Sequence, residues 1–339
     1  MSAAAAPLVL AIETSCDETA VALVRGSTLL AGEVASQVAL HQPFGGVVPE
    51  VASRSHLSKI KPLIDLVLAK TGVEPGRLDG VAATLGPGLL TALLVGVAAA
   101  KGLAIGLGRP FIGVNHLEGH LLSPFCNDES GPPVRSLGLI VSGGHTQLVL
   151  LERVGVYRII SRTMDDAAGE AFDKVAKLIG LPYPGGPEID RLARQGDPDK
   201  YRLPRSMPGE NNFQFSFSGL KTAVRYLLPQ LSGDFRADLA ASFQEAVVDV
   251  LVRKTVSAAR AYGCDVVGVS GGVSCNSRLR TRMAEACADA GLTLRLARPD
   301  LTTDNAAMIG FVAIQRLQQG PVDDLAADAD PSLALAGDE

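Results

Sequence analysis

Two hydrophobic rhythms alternate along this chain. Short apolar runs at residues 8–12, 19–24, 79–84, 111–114, 137–141, 147–151 and 266–269 read as strands. Between them lie longer segments whose apolar residues recur at helical spacing. Residues 48–70 place Ile60, Leu63, Ile64, Val67 and Leu68 on one stripe, and residues 237–262 do the same with Leu239, Phe243, Ala246, Val247, Val250 and Leu251. Pro49 suits a first helical turn, Pro62 predicts a kink and Gly72 ends the first of these helices. The run from Leu89 to Leu107 is the longest apolar stretch. It carries Lys101 and several glycines, so it reads as a buried helix rather than a membrane span. A last helix is predicted at 306–317. Strands alternating with helices make an α/β protein.

One arrangement occurs twice. Strand, short polar turn, strand is found at residues 8–24, around Glu13-Thr-Ser-Cys-Asp-Glu18, and again at 137–151, around Ser142-Gly-Gly-His145. A repeat at that separation predicts two lobes of related fold. The expected division is a first lobe at 1–130 and a second at 131–322, with helix 304–319 able to pack back on the first. Residues 323–339, alternating Asp, Ala and Leu, are expected to form a disordered tail. A third turn, Ser270-Gly-Gly-Val-Ser-Cys-Asn276, separates the strand at 266–269 from a helix starting near Arg278. Gly- and Ser-rich turns at strand ends present backbone N–H groups to anions and let a phosphate come close. Three of them in a two-lobed chain predict a nucleotide in the interlobe cleft.

Composition narrows the partners. At 339 residues with 47% hydrophobic content, the chain can bury a large core. A formal charge of −5 excludes a generic nucleic-acid coat, so RNA contact must use a local basic patch or a partner. The five cysteines are scattered, odd in number and free of C-x-x-C spacing, which fits a reducing cytosol. Residues 1–7 lack the basic region of a signal peptide.

The candidate chemistry centres on Asn115-His-Leu-Glu-Gly-His120, directly after a predicted strand. In a helix, His116 and His120 stand at i and i+4 on one face and form half of a metal site. Glu118 sits about 200° round from His116 on such a helix, facing away, which disfavours a metalloprotease. Asp304, ahead of the last helix, has two readings: an N-cap, or a carboxylate ligand. Two histidines with one carboxylate leave open positions and suit Fe(II), with Zn²⁺ next. In the irregular middle of the chain, Phe213, Phe215 and Phe217 interleave with Lys221 and Arg225, following Lys200, Arg202 and Arg205. They could clamp an RNA strand, or the three rings could form the inner face of a strand.

With these motifs assembled, the chain resembles the tRNA adenosine threonylcarbamoyltransferase family of bacterial TsaD type, from about Leu8 to about Leu317. The resemblance rests on Ile12-Glu-Thr-Ser-Cys-Asp-Glu-Thr19, Gly45-Gly-Val-Val-Pro-Glu50, Gly86-Pro-Gly88, Asn115-His-Leu-Glu-Gly-His120, Val141-Ser-Gly-Gly-His-Thr146, Gly169-Glu-Ala-Phe-Asp173, Phe215-Ser-Phe-Ser-Gly-Leu-Lys221 and Ser270-Gly-Gly-Val273. It implies the two-lobed actin-like fold of sugar kinases and Hsp70. It implies transfer of a threonylcarbamoyl group from threonylcarbamoyl-AMP to N6 of the adenosine 3′ of the anticodon, in tRNAs reading codons that begin with A. It further implies one divalent metal, usually iron or zinc, on His116, His120 and Asp304. The adenylate would lie against Val141, Ser142, Gly143, Gly144, His145, Asp173, Gly186, Asp190 and Asn276. The implied partners are tRNA, a paralogous actin-like protein of TsaB type and a small ATPase of TsaE type, in the cytoplasm and without a membrane. Asp17, Glu18 and His145 are candidates for taking the proton, and none is assigned as catalytic. The rival functions are a metalloprotease and an ATP-binding kinase or chaperone-like module of the same fold.

Overall fold

A computed structural model describes residues 6–44, 46–126, 133–206, 209 and 212–335. The expected lobe boundary at residues 130 and 131, motif position Gly45, loop residue Asn211 and the N-terminal residues 1–5 lie outside this set. The chain divides into two compact units, Met1–Pro133 with Asp304–Asp338, and Val134–Thr303.

The first unit begins with strands β1 (Leu8–Glu13), β2 (Glu18–Arg25) and β3 (Thr28–Ser36), then helices α1 (Val38–His41) and α2 (Pro49–Thr71). It continues through β4 (Gly80–Gly86), α3 (Leu90–Leu107), β5 (Phe111–Asn115) and α4 (His116–Leu122). The second unit runs through β6 (Ser136–Val141), β7 (Thr146–Arg153), β8 (Val156–Arg162), α5 (Ala168–Leu178), α6 (Gly185–Ala193), α7 (Ser218–Leu227), α8 (Arg236–Ala261), β9 (Val266–Ser270), α9 (Ser277–Asp289) and β10 (Thr293–Leu296). The last helix, α10 (Ala306–Gln319), returns to the first unit.

The two sheets share one plan. Their strand orders are β3-β2-β1-β4-β5 and β10-β9-β6-β7-β8, the second read from its far end matching the first. In each, the hairpin strands pair antiparallel and the later strands join in parallel. The repeat legible in the sequence is this shared topology. β1 and β6 are buried along their whole length, which is why they appear as unbroken apolar runs. β3 and β8 lie at sheet edges with mixed exposure, and β10 has four residues, so none produces a clean run to find in the sequence.

In the first unit, β1 packs against α3 and α10, and β2 against α2 and α10, so the sheet is covered on both faces. α3 is long and apolar enough to cross a membrane; one face of it, at Ala92, Leu93, Gly96, Val97, Ala100 and Ala104, is buried in this unit, so the helix expected to be buried is buried along a third of its residues. Its remaining face stays exposed at Leu90, Leu94 and Ile105. The second unit's core joins Leu137, Leu139 and Leu148 to Phe172, Phe215, Phe217 and Phe243. The tail corrects the expectation of disorder. Residues 323–335 follow a defined path on the first unit because their backbone groups find partners there: Asp324 N–H donates to Phe111 O at 2.7 Å and Asp330 N–H to Leu85 O at 2.8 Å. The Asn115 side-chain amide also donates to the carbonyls of Leu333 and Ala334.

Candidate functional site

The sharp β5-to-α4 junction positions both histidines. Asn115 caps α4, its Oδ1 accepting from the N–H groups of Leu117 and Glu118. His116 and His120 then project from one face, ring centroids 4.7 Å apart and planes 88° to each other. Across from them stands the start of α10. Here the N-cap is Asn305, whose side chain accepts from Met308 N–H at 3.0 Å. The capping role that the sequence offered to Asp304 is therefore taken by its neighbour, and Asp304 turns to the histidines. Its Oδ1 lies 3.2 Å from His120 Nε2 and 3.5 Å from His116 Nε2. Gly119 permits the close approach: a Cβ there would stand 3.0 Å from Met308 Cγ and 3.1 Å from Ile309 Cδ1.

One ligand atom from each of His116, His120 and Asp304 lies within 4.8 Å of the other two, so the trio could hold one divalent ion. The donor chemistry fits, with two imidazole nitrogens and one carboxylate oxygen on a buried floor. Burial opposes charge on His116, but Asp304 and Glu13 outweigh it and raise its pKa to about 9. Burial dominates at His120 and holds its pKa down, so that ring is neutral. His120 Nδ1 is buried without a hydrogen-bond partner among the described residues.

Glu13 is a residue that sequence reasoning missed. It is fully buried and its Oε2 lies 3.2 Å from His116 Nδ1, while Thr84 Oγ1 donates to the same oxygen at 2.6 Å. Burial resists its charge, yet the adjoining His116 draws its pKa below the usual carboxylate value. Such a carboxylate fixes the ring's tautomer and leaves Nε2 for a metal. The signal available was a glutamate ending an otherwise apolar strand. Glu118, by contrast, is buried against α10, where Arg316 Nη2 donates to it at 2.6 Å. Its partner is thus Arg316 rather than either histidine, in line with the helix geometry.

The residues expected to meet an adenylate belong to the second unit and are joined by hydrogen bonds. Ser142 O accepts from Gly169 N–H at the start of α5, where a Cβ on Gly169 would come 2.6 Å from that oxygen. From α5, Asp173 accepts from Gly185 N–H at 2.7 Å at the start of α6, next to Gly186. From α6, Asp190 accepts from the Ser277 N–H and hydroxyl, beside Asn276 at the start of α9. Gly271, at φ +90°, abuts Val141 O, which brings the third turn against the second. Gly143 and Gly144 are exposed with open space where a Cβ would stand, and His145 closes the turn through its carbonyl to Ser142 N–H. Of the proton-acceptor candidates, Glu18 is pushed up by burial to about 7.

The aromatic and basic residues of the middle segment separate into two environments. Phe215 and Phe217 are fully buried and the half-buried Phe213 packs on Tyr262, so the rings pack inward, as the second reading had it, but with only an isolated bridge from Phe215 to Thr163 in place of a strand. Arg205 is bound to Asp249 at 2.9 Å, leaving Lys200, Arg202, Lys221 and Arg225 without a carboxylate partner among the described residues.

Residues 28–311 match the family described as TsaD: tRNA N6-adenosine threonylcarbamoyltransferase. A tRNA N6-adenosine threonylcarbamoyltransferase of Pelobacter propionicus is 51% identical over 326 residues, 95% of each chain. That of Geobacter metallireducens is 52% identical over 327 residues, again 95% of each. Among solved structures, HypF of T. kodakarensis superposes with TM-score 0.66 at 15% identity, over 93% of this chain and 49% of that one. The ROK hexokinase of Thermus thermophilus gives TM-score 0.52 at 16% identity, over 92% and 100%. At such identities the likeness is one of fold, the two-lobed actin-like α/β architecture.

Proposed function

The chain belongs to the tRNA N6-adenosine threonylcarbamoyltransferase family, and from that premise we propose how its own residues carry the transfer. Its activity is transfer of a threonylcarbamoyl group to N6 of adenosine in tRNA. The donor is threonylcarbamoyl-AMP, the acceptor is the adenosine 3′ of the anticodon in tRNAs reading codons that begin with A, and AMP leaves. His116, His120 and Asp304 hold one divalent ion, iron(II) first and zinc next, since two imidazoles and one carboxylate leave positions open. When bound, such an ion supplies Lewis-acid polarisation of a carbonyl or phosphoryl oxygen.

The protein's own part is orientation. Glu13 keeps His116 Nε2 directed at the ion, and Asp304 is held at the end of α10 by the cap that Asn305 makes. The exposed turn offers the backbone N–H groups of Gly143 and Gly144 to the phosphate, beside Ser142 and with Val141 and His145 at its ends. Asp173, Gly186, Asp190 and Asn276 hold the nucleoside. No side chain is needed as a nucleophile, because the adenosine amine attacks the carbamoyl carbon directly. The observation that supports this reading most is the meeting of His116, His120 and Asp304 in a chain half identical to curated transferases.

The reaction runs in the cytosol with two protein partners, a TsaB-type paralogue and a TsaE-type ATPase. The scattered, odd-numbered cysteines without C-x-x-C spacing support that compartment. The apolar side chains exposed along one side of α3, at Leu90, Leu94 and Ile105, support a protein partner. With a net charge of −5 and only Lys200, Arg202, Lys221 and Arg225 left open in the local basic set, tRNA should bind this chain alone weakly and with a shallow salt dependence, steepening by roughly 0.9 per added phosphate contact when partners join.

The test is reconstitution with partners, metal, threonylcarbamoyl-AMP and unmodified tRNA, followed by nucleoside digestion and mass spectrometry. Threonylcarbamoyladenosine is expected with the wild type and not with His120→Ala. Its absence with the wild type would overturn the reading.

A further inference from the structure

A cavity of about 250 Å³ opens between α6, α8 and α9, its walls combining Ala193, Pro198 and Ala241 with the polar side chains of Gln244, Ser277 and Arg278. It is smaller than the roughly 300–1,000 Å³ pockets that enclose a drug-sized ligand, so it suits a fragment such as one planar ring. Two residues to which the adenylate reading gives the nucleoside are fastened to its walls. Asp190 accepts from Arg194 at 3.0 Å and from the Ser277 hydroxyl at 2.7 Å, and Asn276 donates to Gln244 at 2.7 Å.

The orientation of Gln244 follows from helix α9. Leu279 N–H, one of the unsatisfied donors of the first turn, bonds to Asn276 Oδ1 at 3.0 Å. Asn276 must then turn its Nδ2 toward Gln244, and Gln244 must answer with its carbonyl oxygen. The Nε2 of Gln244 is left as the free end, with no hydrogen bond among the described residues. Gln244 is 6% exposed and lines the cavity, and its Nε2 is the end of the side chain that has no protein partner among the described residues. Arg278 adds a guanidinium held in a fixed plane by its two-pronged bond to Glu245, at 2.6 and 3.1 Å, and guanidinium planes stack on bases.

The geometry points to Gln244 as a base-contacting residue: its Oε1 sets Asn276 and its Nε2 donates to a ring nitrogen of the purine of the adenylate, which enters this cavity. The inference rests on the adenylate reading and adds a residue to it. Calorimetric titration tests it with AMP and with ribose 5-phosphate, which lacks the base. Gln244→Met, of similar size, should bind AMP about tenfold more weakly, the loss of one buried hydrogen bond, with ribose 5-phosphate affinity unchanged. Gln244→Glu keeps the acceptor for Asn276 but offers no N–H, and should lose AMP affinity in the same way. AMP binding at wild-type strength in either variant, or a fall in ribose 5-phosphate affinity parallel to that for AMP, overturns the base contact. Wild-type protein that binds neither probe would remove the adenylate reading itself.

Discussion

Asp304 Oδ1 stands 3.2 Å from His120 Nε2 because the next residue, Asn305, caps the helix that follows. Two adjacent polar residues at one helix start divide two tasks. The amide satisfies the backbone of α10, and the carboxylate is released to the histidines of α4. The sequence distance of 184 residues between the partners closes where α10 packs on α4, at Gly119.

Metal content should follow this trio. His116→Ala, His120→Ala and Asp304→Ala are each expected to purify with far less metal than the wild type by elemental analysis. Asn305→Ala should retain the ligands but lose about 0.5–2 kcal/mol of stability with the cap. Equal metal in wild type and His116→Ala would remove the assignment.

Glu13 should matter without touching the ion. Glu13→Gln is expected to weaken metal binding by about 10–100-fold, the usual cost of losing a partner behind a histidine ligand. A competitive chelator titration reads this directly, and an unchanged midpoint would show Glu13 to be only a core residue.

The raised pKa of His116 gives two opposite pH dependences. In metal-free protein, its charged form is stabilised by Asp304 and Glu13, so that contribution is complete below the usual 6.5 and is lost as pH rises through about 9. Metal must displace the same proton, so metal affinity should climb over that range. Denaturant midpoints of metal-free protein between about pH 7 and 9 should fall, above the titration of Glu18 near 7. A flat stability profile together with pH-independent metal affinity would contradict the assignment.

Two glycines near the Ser142 turn should behave differently. Gly143 has open space around its missing Cβ, so Gly143→Val should fold normally and lose AMP affinity in calorimetry through steric contact with the phosphate alone. Gly169→Ala places a Cβ 2.6 Å from Ser142 O and should lower the unfolding midpoint before any ligand is added. Undiminished AMP binding by the Gly143 variant would mean that the turn is structural only.

By itself, the sequence determined the elements whose burial is uniform or whose stripe is regular: β1 and β6 as apolar runs, α2 and α8 as helices, and the twice-used strand–turn–strand unit. It also determined that His116 and His120 share a face and that Glu118 does not, because helical periodicity fixes those angles before any packing occurs. Only the tertiary structure showed that Asn305 rather than Asp304 caps α10 and that Asp304 meets the two histidines, since the local sequence allows either cap and the meeting depends on α10 reaching α4. It likewise decided that Glu13 backs His116, that Gln244 faces a cavity, that Phe215 and Phe217 are core and that residues 323–335 pack on the first unit. Each of those outcomes is a contact between residues far apart in the chain, and local periodicity carries no information about which distant surface a side chain will meet.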